Sequence, residues 1–253
     1  MAGHAAAPAA IPLDTAAILR RALALYGANF LRMVVIAAMV MVPALFAELL
    51  LPGLSQVTVW IAGPVTIGAL VLAFDRLAAA EPITVGSSLL DGLGSLPRLL
   101  VAGFVYDIAV VLPMALLVLL ATVLGIHQAV LPISIAIVLA ALFLFTNQAI
   151  VLEESGPIAA FTRSRQLLWS AQDVAVPLIA VAAGFGLAPE LFAIAAVVGG
   201  APEAYVIGAR AIGAAICAPL QVGIVTLFFL AARAAYRGEV ARGTDASLAG
   251  AAA

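Results

Sequence analysis

Apolar residues in this chain gather into long runs that come in pairs, with short polar stretches between the pairs. The runs cover residues 31–51, 59–79, 99–124, 129–152, 174–200 and 212–233. About 20 helical residues cross the ~30 Å hydrocarbon layer of a bilayer, so the pattern predicts six transmembrane helices. Pro52-Gly53 ends the first run, and Pro64, Pro132 and Pro219 lie inside the second, fourth and sixth. Gly184, Gly186 and Pro189 interrupt the fifth and predict a break or re-entrant turn. Such a break is tolerated at membrane depth only where it is buried or lines a cavity.

Ahead of each pair stands a half-polar segment that predicts a short helix lying in the interface. In residues 13–29, Asp14 or Thr15 can cap the helix, Leu19, Leu23 and Tyr26 share one face, and Arg20 and Arg21 lie away from it. Residues 85–96, VGSSLLDGLGSL, form the second and poorest of these segments, because Gly92 and Gly94 disfavour helix. The third, VLEESGPIAAFTRSRQLLWSAQ over residues 151–172, is the stretch around which the chain is organised. An apolar run ends there in two carboxylates, Gly-Pro starts a new segment, and a basic helix follows with Ala160, Arg163, Ser164 and Leu167 as anchors. The predicted fold is all-α, one six-span membrane bundle over residues 13–242 with three cytoplasmic interfacial amphipathic helices. Residues 1–12 and 243–253 are expected to be disordered small-residue tails.

The units resemble one another. Tyr26 and Trp169 close the first and third short helices 143 residues apart, and Glu48 and Glu190 lie 142 apart near the outer ends of the first and fifth runs. Pro64 to Gly68 and Pro219 to Gly223 share a P-x-x-x-G start. These matches predict a threefold internal repeat, a device found in transporters and equally in purely structural bundles.

Composition agrees with a membrane protein and narrows its chemistry. The 253 residues are 66% hydrophobic and 9% charged, with a mean hydropathy of +1.24, whereas globular chains are about 45–50% apolar and about 25% charged. Ten of the eleven arginines fall at one set of span ends and only Arg210 at the other. The excess of positive charge in cytoplasmic loops then places both termini in the cytoplasm of a bacterial inner membrane. A net charge of −2 excludes a nucleic-acid-binding surface. Cys217 is the single cysteine and His4 and His127 the only histidines, so neither a disulfide nor a zinc or haem site is expected, and no cofactor. No P-loop, serine-nucleophile or dinucleotide motif is present, and no enzyme is expected.

Asp107, nine residues past Arg98, is expected ~13 Å along its helix and near mid-membrane. An ionisable group at that depth is a functional-site hypothesis by default. With Asn147, Gln148 and Gln221 it makes a candidate intramembrane polar site, against the plainer reading of helix-to-helix hydrogen bonding. Glu48 and Glu190 are expected toward the outer interface, and Arg210 beside Glu203. Glu153, Glu154, Arg163 and Arg165 form a candidate cytoplasmic surface for anionic lipid or a protein partner, with positive-inside anchoring and local ion pairs as the structural alternative. Arg165, expected on the apolar side of its helix with Ile158, Phe161 and Leu168, should snorkel or pair with a buried carboxylate.

Three blocks, LRRALALYGANF at 19–30, VLEESGPIAAFTRSRQLL at 151–168 and FFLAARAAYRGE at 228–239, resemble a bacterial membrane-domain family. That family is found beside glycerophosphodiester phosphodiesterase catalytic domains and as stand-alone proteins. Arg165 stands where the family usually has an aromatic residue, and Ala231 where it tends to have Asp. The resemblance implies a membrane-embedded domain without the hydrolase, whose chemistry needs histidines and metal-binding carboxylates. The leading expectation is a non-enzymatic accessory or structural domain engaging membrane lipids, or a membrane or cytoplasmic protein. The alternative is a small transporter or lipid-handling protein with a polar cleft around Asp107.

Overall fold

The computed structural model describes residues 11–50, 55–113, 115, 116, 119 and 141–251, and every regular element among them is helical. In order these are α1 (Thr15–Ala28), α2 (Phe30–Leu50), α3 (Ser55–Ala78), α4 (Val85–Tyr106) with a π-turn at Asp107–Val111, α5 (Thr146–Leu152), α6 (Pro157–Ser170), α7 (Gln172–Val198) and α8 (Glu203–Ala251). Among the described residues, four segments are long and apolar enough to cross a membrane: Trp60–Ala78, Val85–Val111, Gln172–Val198 and Glu203–Gly238. A fifth is added if α1 and Phe30–Ala44, bent by 80° at Asn29, count as one span. Of the expected fourth span, residues 129–140 lie outside the described residues.

α1 and α6 form where the half-polar segments place them. The Asp14 carboxylate accepts the Ala17 N–H at 2.8 Å, a standard N-cap, and Pro157 starts α6, where its missing N–H is no loss. Each helix is 14 residues long. Ile18, Ala22 and Tyr26 are buried on α1, and Ala160, Ser164 and Leu167 on α6. Leu23 turns outward instead of joining the Tyr26 face. Asn29 ends α1 at φ −121°, ψ 21°, and Ala171 ends α6 at φ −124°, ψ 22°. Helix starts, buried positions 18 and 160, 22 and 164, and these two end residues are all 142 apart, the spacing of Glu48 and Glu190. Tyr26 and Trp169 are not equivalent, since Tyr26 is 8% exposed and Trp169 63%.

The middle unit departs from this plan. Residues 85–96 are the opening turns of α4, capped by Thr84, and the helix continues through Pro97 without a separate interfacial piece. The glycine that weakens this stretch in isolation is what joins it to its neighbour. A Cβ on Gly92 would lie 2.6 Å from the Ala69 nitrogen, so α4 rests directly on the α3 backbone. Arg76 of α3 closes the contact by an ion pair with Asp91 and a 3.3 Å hydrogen bond to Ser87 Oγ.

α7 also differs from expectation, running unbroken through Gly184, Gly186 and Pro189. Two of these three serve packing: a Cβ on Gly186 would meet the Gln221 amide at 2.7 Å, and buried Pro189 lies against Gly213 of α8, while a Cβ on Gly184 would meet nothing within 4 Å. α8 has 49 residues and includes 243–251, the stretch expected as a tail. The core gathers on its aromatic pair, where the buried Phe145 ring stands edge-on to Phe228 at 4.8 Å and Phe229 at 5.6 Å.

Candidate functional site

A helix break does exist, where no Gly or Pro marks it. The chain leaves helical geometry at Phe143–Phe145 and resumes as α5. Leu144 N–H turns back to the Ala141 carbonyl at 3.0 Å and Thr146 N–H to that of Phe143 at 3.1 Å. In an uninterrupted helix Phe145 N–H would donate to Ala141. It donates instead to Ser164 Oγ at 3.0 Å, and the Ser164 hydroxyl donates to the Leu142 carbonyl at 2.9 Å. One fully buried serine on α6 thus partners both groups that the break sets free. Phe143 is held edge-on against Phe161 at 4.8 Å and Tyr106 at 5.8 Å.

The break forms one wall of a partly open cavity of about 520 Å³ bounded mainly by α3, α4, α5 and α8. Its polar lining is Thr66, Tyr106, Thr146, Asn147, Gln148 and Gln221, and the remaining lining residues are apolar or glycine. Thr66 donates its hydroxyl to the Ala62 carbonyl at 2.8 Å. Gln148 is only 3% exposed, yet among the described residues its amide oxygen has no hydrogen-bond partner, and neither has the buried Thr146 hydroxyl. A buried polar group without a partner costs about 1–3 kcal/mol. Gln221 presents its amide between the cavity and the bare backbone of Gly186.

The structure therefore brings Asn147, Gln148 and Gln221 together and leaves Asp107 out. Asp107 lies half-buried on the π-turn beyond Tyr106, is not among the lining residues, and makes no side-chain hydrogen bond or ion pair among the described residues. It follows Tyr106, the last lining residue of α4, and is turned about 100° from it around the helix. Thr66 and Thr146 were not singled out by sequence, although each is a polar residue within an apolar run.

At the junction of α5 and α6, Arg163 holds Glu153 with Nε to Oε2 at 3.1 Å and a second contact to Oε1 at 3.4 Å. Its guanidinium also lies 5.1 Å from the Tyr236 ring centroid, so α5, α6 and α8 are tied together. Glu154 is exposed in the left-handed region at φ 51°. Arg165 is exposed and has no ion pair among the described residues, so of the two expectations the buried carboxylate partner is not found. Its Cα is turned about 100° from that of Ser164, which carries it off the buried seam and onto a face shared with Ile158, Thr162 and Trp169. Arg210 pairs with Glu190 at 2.8 Å, not with Glu203. The Glu48 side chain lies outside the description.

Fold and site together define a helical protein with several membrane-length helices around a polar cleft. In comparisons with known proteins, no family model, curated protein or solved structure matches the chain.

Proposed function

We propose that this protein binds an amphiphilic small molecule within the bilayer and acts as a non-enzymatic lipid-handling protein with six spans and cytoplasmic termini. The carrying observation is Gln148, whose amide lines the cleft, is almost fully buried and leaves its oxygen without a donor. A bundle built only for support would satisfy such a group internally, whereas a binding site leaves it for a ligand. The cleft centres on Gln148 and Gln221, with Asp107 outside it.

Two further features support the reading. The exposed face of α6 carries Ile158, Arg165 and Trp169, the residue types that seat a helix at a membrane surface. The 142-residue correspondence of α1–α2 with α6–α7 supports an internal repeat of the kind seen where transporters build midplane sites. The resemblance to the phosphodiesterase-associated membrane domains also favours a role without hydrolysis. Native mass spectrometry of the full chain tests this. We expect a bound amphiphile to survive delipidation of the wild type and to be lost in Gln148→Leu; equal retention, or none in either, would overturn the reading.

A further inference from the structure

The geometry points to a ligand with an uncharged head group bearing hydroxyl or amide functions, a neutral amphiphile such as a diacylglycerol or long-chain alcohol. We infer that the cleft selects it over phospholipids with an ionised head. This rests on the ligand-binding reading above and adds the chemical class.

Among the described residues the lining contains no carboxylate, guanidinium or imidazole. An ionised phosphate entering it would shed hydration and find no opposite charge, which is the costly case for a buried ion. Asp107, the charged group nearest in sequence, is not among the lining residues, and Glu153 and Arg163 are engaged with each other and with the Tyr236 ring. What the cleft does offer is three side-chain amides, on Asn147, Gln148 and Gln221, plus the Thr146 hydroxyl. Each of these both donates and accepts. A hydroxyl-bearing head satisfies either orientation of the Gln148 amide, which can turn end for end.

Apolar surface from Met41, Leu70, Phe143 and Phe161 surrounds this polar patch and suits the first part of a hydrocarbon chain. A volume of about 520 Å³ takes a head group and that first part, and the open side lets the rest pass into lipid. The pairing of a small uncharged polar focus with apolar walls is the usual build of a site for a neutral ligand.

The test uses the full chain in bilayer nanodiscs with two photoactivatable probes carrying identical diazirine acyl chains, one a diacylglycerol and one a phosphatidylglycerol. Crosslinks are mapped by peptide mass spectrometry and scaled to those on the lipid-exposed Val197 and Val198 of α7. The diacylglycerol probe is expected to label residues 141–148 and 218–225 several-fold above that reference, and the phosphatidylglycerol probe no more than the reference. Gln148→Leu and Gln221→Leu should each lower the diacylglycerol signal about fivefold, as loss of one hydrogen bond predicts. Two variants on different helices guard against misfolding of either. Equal cleft labelling by both probes would overturn the neutral-head assignment and leave ligand binding intact. Labelling by neither above the reference would overturn the binding reading itself.

Discussion

Ser164 of α6 replaces Ala141 as the acceptor for the Phe145 N–H, at 3.0 Å, and so holds open the helix break beside the cleft. Because the same hydroxyl also serves the Leu142 carbonyl, Ser164→Ala strips partners from two backbone groups at a fully buried position. We expect it to cost about 2–3 kcal/mol, while Ser164→Thr, which keeps the hydroxyl, costs less. Reversible unfolding in mixed micelles measures both, and an unchanged midpoint for the alanine variant would contradict the bridging role.

The two ion pairs should differ in worth. Arg163 and Glu153 are about one-fifth exposed and doubly bonded, and Tyr236 covers the guanidinium. A double-mutant cycle is expected to give a coupling of about 1–3 kcal/mol. Arg163→Lys should lose much of it, because an ammonium cannot reproduce the planar fork. Arg210 and Glu190, about half exposed, should couple by less than about 1 kcal/mol. Equal couplings would mean that burial of the first pair has been misjudged.

The glycines of α4 separate packing from propensity. Gly92→Ala drives a Cβ into the α3 backbone at Ala69, so the helices must part, and a lower melting temperature is expected. Gly94→Ala meets nothing within 4 Å and should be neutral or stabilising by up to about 1 kcal/mol through helix propensity. Parallel thermal scans decide it; the same response from both would remove the case for a close α3–α4 approach.

Gly186→Ala reaches the cleft from behind. Its Cβ would press on the end of the Gln221 side chain, which can swing aside, so the fold should survive. The displaced amide should reduce retention of the bound amphiphile in native mass spectrometry, with a melting temperature close to wild type. Unaltered retention would show that Gln221 is not a ligand contact.

Local pattern made some of this architecture legible and tertiary contact hid the rest. Ala160, Ser164 and Leu167 read as anchors because four- and three-residue steps return to one helix face, and they are the buried seam of α6. The break at Phe143–Phe145 left no mark in an apolar stretch, since the group that permits it lies 19 residues away on another helix. Gly184, Gly186 and Pro189 looked like a break because propensity counts their cost and not the contacts of Gly186 with Gln221 and of Pro189 with Gly213. Asp107 read as the centre of a polar site because it is the one carboxylate in its apolar run, whereas the cleft lining of α4 stops at Tyr106.

The length of α8 binds the cleft to the centre of the molecule. Pro219 interrupts its hydrogen-bond ladder directly between Ala218 and Gln221, both in the cleft lining. Over the turns that follow, the same helix buries Ile224, Leu227, Phe228, Phe229 and Ala232. Cleft wall and core are thus one rod, and the lining at Gln221 and the ring cluster at Phe145 share a single keystone.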